Sequence, residues 1–151
     1  MNCDPILSTA GLFPGADEMR AEEIEYALSR LRTLAWVDPK NLFLMGHSEG
    51  GHAVAVWRGG GFSAQIFFTG WWCSWGGKTI HVNAPRGTPL LAINYERDPW
   101  FTGTASTCGS LFSSYKSARE VILPGFGHNA LHHSGEARFV VIDFLRDHTT
   151  R

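Results

Sequence analysis

The chain has 151 residues, 44% of them hydrophobic and 18% charged, with a formal net charge of −1. That length and composition suit one globular domain with a real core and exclude a disordered chain. No Lys/Arg run suggests electrostatic binding to nucleic acid or an anionic membrane, and no run of about 18 apolar residues offers a membrane-crossing helix.

The first residues, Met1-Asn2-Cys3-Asp4-Pro5, lack the basic and apolar regions of a secretory leader. Pro5, Gly11, Pro14 and Gly15 mark residues 1–15 as a loop. A helix is predicted over 17–36, where Ile24, Ala27, Leu28, Leu31, Leu34 and Ala35 share one face. Glu18, Glu22 and Glu23 near its start and Arg30 and Arg32 near its end complement the helix dipole, and Asp38-Pro39 ends it. Residues 41–45 (NLFLM) form a short, nearly all-apolar strand of the kind buried on both faces of a parallel sheet. A helix follows to Trp57, then a strand at 64–68 (AQIFF). Residues 70–88, rich in Gly and Trp, read as an excursion loop.

A third strand is predicted at 89–95 (PLLAINY), followed by the turn Glu96-Arg97-Asp98-Pro99. A short helix is expected over 109–119, a fourth strand at 121–123, a loop from Pro124 to His128 and a last helix over 135–147. This alternation of short apolar strands with helices gives an α/β fold class, a parallel sheet flanked by helices in a single domain over 1–151. Three cysteines, Cys3, Cys73 and Cys108, form neither a disulfide framework nor a CxxC pair. Buried inert thiols are the favoured reading, with a Cys73–Cys108 bridge as the alternative.

The chemistry concentrates in Gly46-His47-Ser48-Glu49-Gly50. GxSxG between an apolar strand and a helix is a nucleophile elbow: the serine sits on a sharp turn, and the flanking glycines let neighbouring backbone pass without a Cβ clash. Its hydroxyl then lies at a helix N-terminus, where free N–H groups favour a developing oxyanion. A serine needs a base, and the base an orienting acid. Asp98 and His128 each follow a predicted strand, in the order Ser, Asp, His that this elbow uses. Ser48 is therefore the candidate nucleophile, His128 the general base and then acid, and Asp98 the residue that fixes the imidazole. Glu96 competes with Asp98, and His132 and His133 with His128. The same three histidines raise a metal site, disfavoured because no supporting carboxylate or cysteine lies nearby. His47 occupies the motif's variable position, and His52 falls on the following helix as a packed or hydrogen-bonded residue rather than a catalyst.

Three stretches resemble one family. Residues 27–51, ALSRLRTLAWVDPKNLFLMGHSEGG, resemble the dienelactone hydrolase branch of the α/β-hydrolase superfamily, including its peptidase-like relatives. TPLLAINYERDPWF resembles that branch's acid-bearing strand and turn, and LPGFGHN its histidine loop. The resemblance spans residues 16–147 and implies a hydrolase of small esters, lactones or related acyl substrates, without metal or organic cofactor. Dienelactone hydrolases proper use a cysteine nucleophile where this chain has Ser48, so lactone specificity does not carry over. The resemblance makes the Glu49 N–H one oxyanion donor and leaves the second unnamed. Measured against the family, four strands before the elbow are missing, so the fold is expected to be truncated in its N-terminal half. Its first strand would then present an unpaired apolar edge, open to a second copy of the chain or another partner. Trp71, Trp72 and Trp100 are candidates for lining the substrate pocket, with packing as the plainer role.

Overall fold

The computed structural model describes residues 14–68, 74–75, 78–79, 82–100, 108 and 112–151. Chain order is α1 (Pro14–Leu31), β1 (Phe43–His47), α2 (Glu49–Val56), β2 (Ala64–Phe68), β3 (Ser74–Trp75), β4 (Lys78–Thr79), β5 (Leu90–Arg97), β6 (Ala118–Phe126), α3 (Ala130–His133) and α4 (Gly135–Asp147). Four strands form one parallel sheet in the order β1-β2-β5-β6, while β3 and β4 pair as a separate antiparallel ribbon.

The two central strands explain the architecture. Every residue of β2 is buried, as are the first six of β5. Alternation splits them between two cores. Ala64, Ile66, Phe68, Leu91, Ile93 and Tyr95 meet Ala137, Val140, Val141 and Phe144 of α4 on one face. Phe67, Leu90 and Ala92 meet Val54 and Ala55 of α2 on the other. Strands covered on both faces must be apolar throughout, which is why they read as continuous hydrophobic runs. A third cluster packs Leu28 of α1 against Leu42 and Trp57.

Several expectations need correction. The first helix starts at Pro14 and ends at Leu31, where Leu34 N–H turns back to the Leu31 carbonyl. Ala27 and Ala35 are exposed, so its buried stripe is the narrower set Ala21, Ile24, Leu28 and Leu31. β1 is not buried on both faces: it lies at the sheet edge, and Met45 is 51% exposed. The expected unpaired edge is therefore present among the described residues. Ser63 N–H bonds the Leu42 carbonyl and Ser48 N–H the Phe68 carbonyl, so even-numbered β1 residues face β2. Phe43, Met45 and His47 consequently direct their backbone groups to the open side.

Of the helix expected over 109–119, residues 109–111 lie outside the described residues and Phe112 is helical, its N–H bonding the Cys108 carbonyl; from Ser113 turns lead into β6, which begins at Ala118. Pro124 and Gly125, read as loop, belong to that strand. It is an edge strand with a register shift opposite Tyr95 and Arg97, and proline is tolerated at such irregularities. Cys108 is buried and disulfide-bonded rather than an inert thiol; its partner lies outside the described residues. Residues 1–13 and the cluster Trp71 and Trp72 also lie outside them.

Candidate active site

Ser48 stands at the turn from β1 into α2 with φ 54° and ψ −118°, the one non-glycine residue at positive φ among those described. Such a conformation stores strain and persists only where the surroundings hold it. Here its N–H donates to the Phe68 carbonyl at 3.3 Å, and its carbonyl accepts from His52 N–H at 3.2 Å to begin the helix. Gly46 completes the turn: a Cβ there would run into the Gly50 carbonyl group. Gly50 needs no such clearance, since nothing among the described residues lies within 4 Å of its Cβ position.

The C-terminal ends of β5 and β6, on the same side of the sheet, supply the partners. Asp98 directly follows β5 and is 1% exposed. Its Oδ1 accepts from Trp100 N–H at 2.8 Å, and its Oδ2 lies 2.8 Å from His128 Nδ1. His128 Nε2 lies 3.1 Å from Ser48 Oγ. A buried carboxylate facing Nδ1 selects the tautomer protonated there, leaving Nε2 to accept the serine proton. Asp98, His128 and Ser48 thus form one hydrogen-bonded line.

The loop bearing His128 is pinned from β5. Gly127 N–H donates to the Arg97 carbonyl at 3.1 Å, and Gly125 N–H to Glu96 Oε2 at 3.2 Å. Glu96, the competitor for the acid role, is exposed and spends its carboxylate on this loop. His132 and His133 lie exposed on α3, away from the line of bonds.

The Glu49 N–H sits in the first turn of α2, where backbone donors have no intrahelical acceptor. The Glu49 side chain turns away to α1, where Arg20 Nη2 and Nε bind it at 2.9 and 3.2 Å. Hydrogen bonds to Glu23 and Glu49 push the Arg20 guanidinium further up from its already high range. One turn along, His52 Nε2 meets Asp17 Oδ1 at 2.8 Å, a second tie between α1 and α2 that makes His52 a hydrogen-bonded helix residue.

Solved structures similar to this chain repeat its arrangement of sheet and helices. A variant of SOBER1 from Arabidopsis thaliana matches with a TM-score of 0.65 and 14% identity, over 89% of this chain and 66% of that one. Est1E from Butyrivibrio proteoclasticus matches at 0.61 and 15%, over 85% and 69%. The AtxE2 isopeptidase, solved with Astexin3-dC4 bound, matches at 0.59 and 15%, over 85% of this chain and 25% of its own. The chain has the α/β-hydrolase fold.

It spans about two thirds of the SOBER1 and Est1E chains. No family model and no curated protein matches it. Within this α/β-hydrolase fold, two aromatic rings flank the imidazole. Trp100, 63% exposed, has its ring centroid 6.4 Å from that of His128, which puts this candidate pocket residue beside the site. His47, passed over as the variable residue of the motif, lies 5.0 Å from His128 ring to ring and places Nε2 3.1 Å from the His128 carbonyl oxygen. Nothing in the sequence pattern signals that contact, because it joins the last residue of one edge strand to the loop beyond the other.

Proposed function

We propose that this chain is a serine hydrolase that cleaves carboxylic esters or related acyl compounds through an acyl-enzyme on Ser48. The observation carrying this reading is the unbroken line Asp98–His128–Ser48, ending on a serine held in a strained turn at a helix N-terminus. In this reading His128 Nε2 takes the hydroxyl proton as Ser48 Oγ bonds the substrate carbonyl carbon. The oxygen, now negative, turns toward the Glu49 N–H. Collapse of the tetrahedral intermediate breaks the bond to the leaving group, which receives the proton from His128. Water, deprotonated by the same imidazole, then releases the acid and restores Ser48. Asp98 holds the tautomer and stabilises the imidazolium that forms in between. Trp100 supplies an apolar wall beside the reacting carbon. The finer placement, in the dienelactone hydrolase-like branch with a serine in place of cysteine, is supported by residues 27–51 and the two later motifs.

A fluorophosphonate probe tests the reading directly. Ser48 is expected to label, Ser48→Ala to abolish labelling, and Asp98→Asn to slow it by roughly 10³–10⁴-fold through the wrong tautomer. A folded wild-type sample that does not label would sink the proposal.

A second reading rests on β1. Its edge carries no charge, proline or bulge among Phe43, Leu44 and Met45, the usual devices that prevent strand pairing. In this reading the protein acts by pairing that edge with a second copy. Light scattering would then report a dimer that Met45→Lys dissociates; a wild-type monomer with esterase turnover removes it.

A further inference from the structure

The sheet order places β1 and β6 at opposite edges, so the loop after β6 must cross the ends of β5 and β2 to bring His128 to Ser48. On the β5 side three bonds hold that loop, from Arg97, Glu96 and Asp98. On the β1 side Ser48 Oγ itself bonds the imidazole, but that bond is consumed when Oγ attacks and becomes acylated. His47 offers a tie that survives. A carbonyl oxygen can only accept, so the 3.1 Å contact requires a hydrogen on His47 Nε2. The rings also meet edge to face, at 66° and 5.0 Å, which opposes rotation of the imidazole away from the nucleophile.

We propose that His47 is a positioning residue for His128: its Nε2–H, bonded to the His128 carbonyl, keeps the base over Ser48 through both acylation and deacylation. This inference rests on the hydrolase reading and adds to it a role for a residue that touches no reacting atom. A misplacement of about 1 Å can cost on the order of 10²-fold in rate, so a single bond to the backbone of the base has leverage.

Two substitutions separate positioning from bulk packing. His47→Phe keeps a flat ring and removes the donor; His47→Gln restores an N–H near the place of Nε2. With p-nitrophenyl acetate as substrate, His47→Phe is expected to lower kcat by roughly 10–100-fold while KM changes little. His47→Gln should recover most of the loss. Fluorophosphonate labelling of Ser48 should follow the same order. Amide exchange at Gly127 and His128 should quicken in His47→Phe, in the Ser48→Ala background as well, where no turnover occurs. Wild-type labelling with an unchanged rate in His47→Phe overturns this inference and leaves the hydrolase reading standing. Equal loss in the Phe and Gln variants overturns it too, because the donor would then be irrelevant. Absence of wild-type labelling overturns both.

Discussion

Gly127 packs on the ring of Tyr95 so closely that a Cβ would lie 2.7 Å from Cε2 and 2.8 Å from Cζ. Tyr95 is buried and cannot retreat. The loop carrying His128 is therefore seated on the last core layer of β5, and the residue beside the imidazole has to be glycine. Gly127→Ala is expected to cost about 1–3 kcal/mol by overpacking and to slow Ser48 labelling by roughly 10–100-fold as His128 shifts. Adding Tyr95→Leu should recover part of both losses, a coupling that a double-mutant cycle in urea unfolding and labelling rate will measure.

Gly46→Ala should be far worse placed than Gly50→Ala. Its Cβ meets backbone, the Gly50 carbonyl, which cannot swing aside as a side chain does. The expected cost is about 3 kcal/mol, at the upper end for overpacking. Gly50→Ala is the control: it faces open space among the described residues and should leave thermal unfolding unchanged or slightly improved.

Ser48→Gly should make the protein more stable and inactive. The backbone at φ 54° and ψ −118° holds roughly 1–3 kcal/mol of strain for a residue with a Cβ. Glycine relieves it at an entropic cost of about 0.5–1 kcal/mol. A net gain near 1 kcal/mol, or about 2–4 °C in Tm for a chain of this size, is expected relative to Ser48→Ala. A melting temperature below that of Ser48→Ala would mean the turn is unstrained.

Tyr115 makes the stability pH-dependent in the alkaline range. Burial pushes its phenol above the usual range, opposed in part by the charge of Arg86. Its hydroxyl donates toward the Val82 and Ala84 carbonyls at 2.9 and 3.0 Å. Because the folded state holds this proton more tightly, the unfolded chain ionises first, near pH 10. The contribution is complete below that pH and is lost as pH rises through the folded value. Tyr115→Phe should lower stability at pH 7 by about 1 kcal/mol and flatten the decline above pH 10 in pH-dependent urea unfolding.

The sequence alone determined the ends of the argument. AQIFF and PLLAINY were legible as strands because short, mostly apolar runs suit burial in a parallel sheet, and both form strands whose residues are largely buried. GHSEG had to be a turn from strand to helix because Gly46 and a serine hydroxyl at a helix N-terminus fit little else. Asp98 and His128 were legible because each follows a strand of a parallel sheet, whose ends gather on one side. The tertiary structure decided what depends on neighbours. Glu96 and Asp98 lie two residues apart and carry the same charge, and only the fold shows that Glu96 lies at the end of β5 and caps the Gly125 amide while Asp98, just past the strand, is buried against His128. The apolar pattern of NLFLM is the same in a central strand and in an edge strand, because composition does not record who pairs with it. His47 gained a role for the same reason. A hydrogen bond between opposite edges of a sheet has no local signature in the chain, since it exists only once the loop beyond β6 has crossed to Ser48.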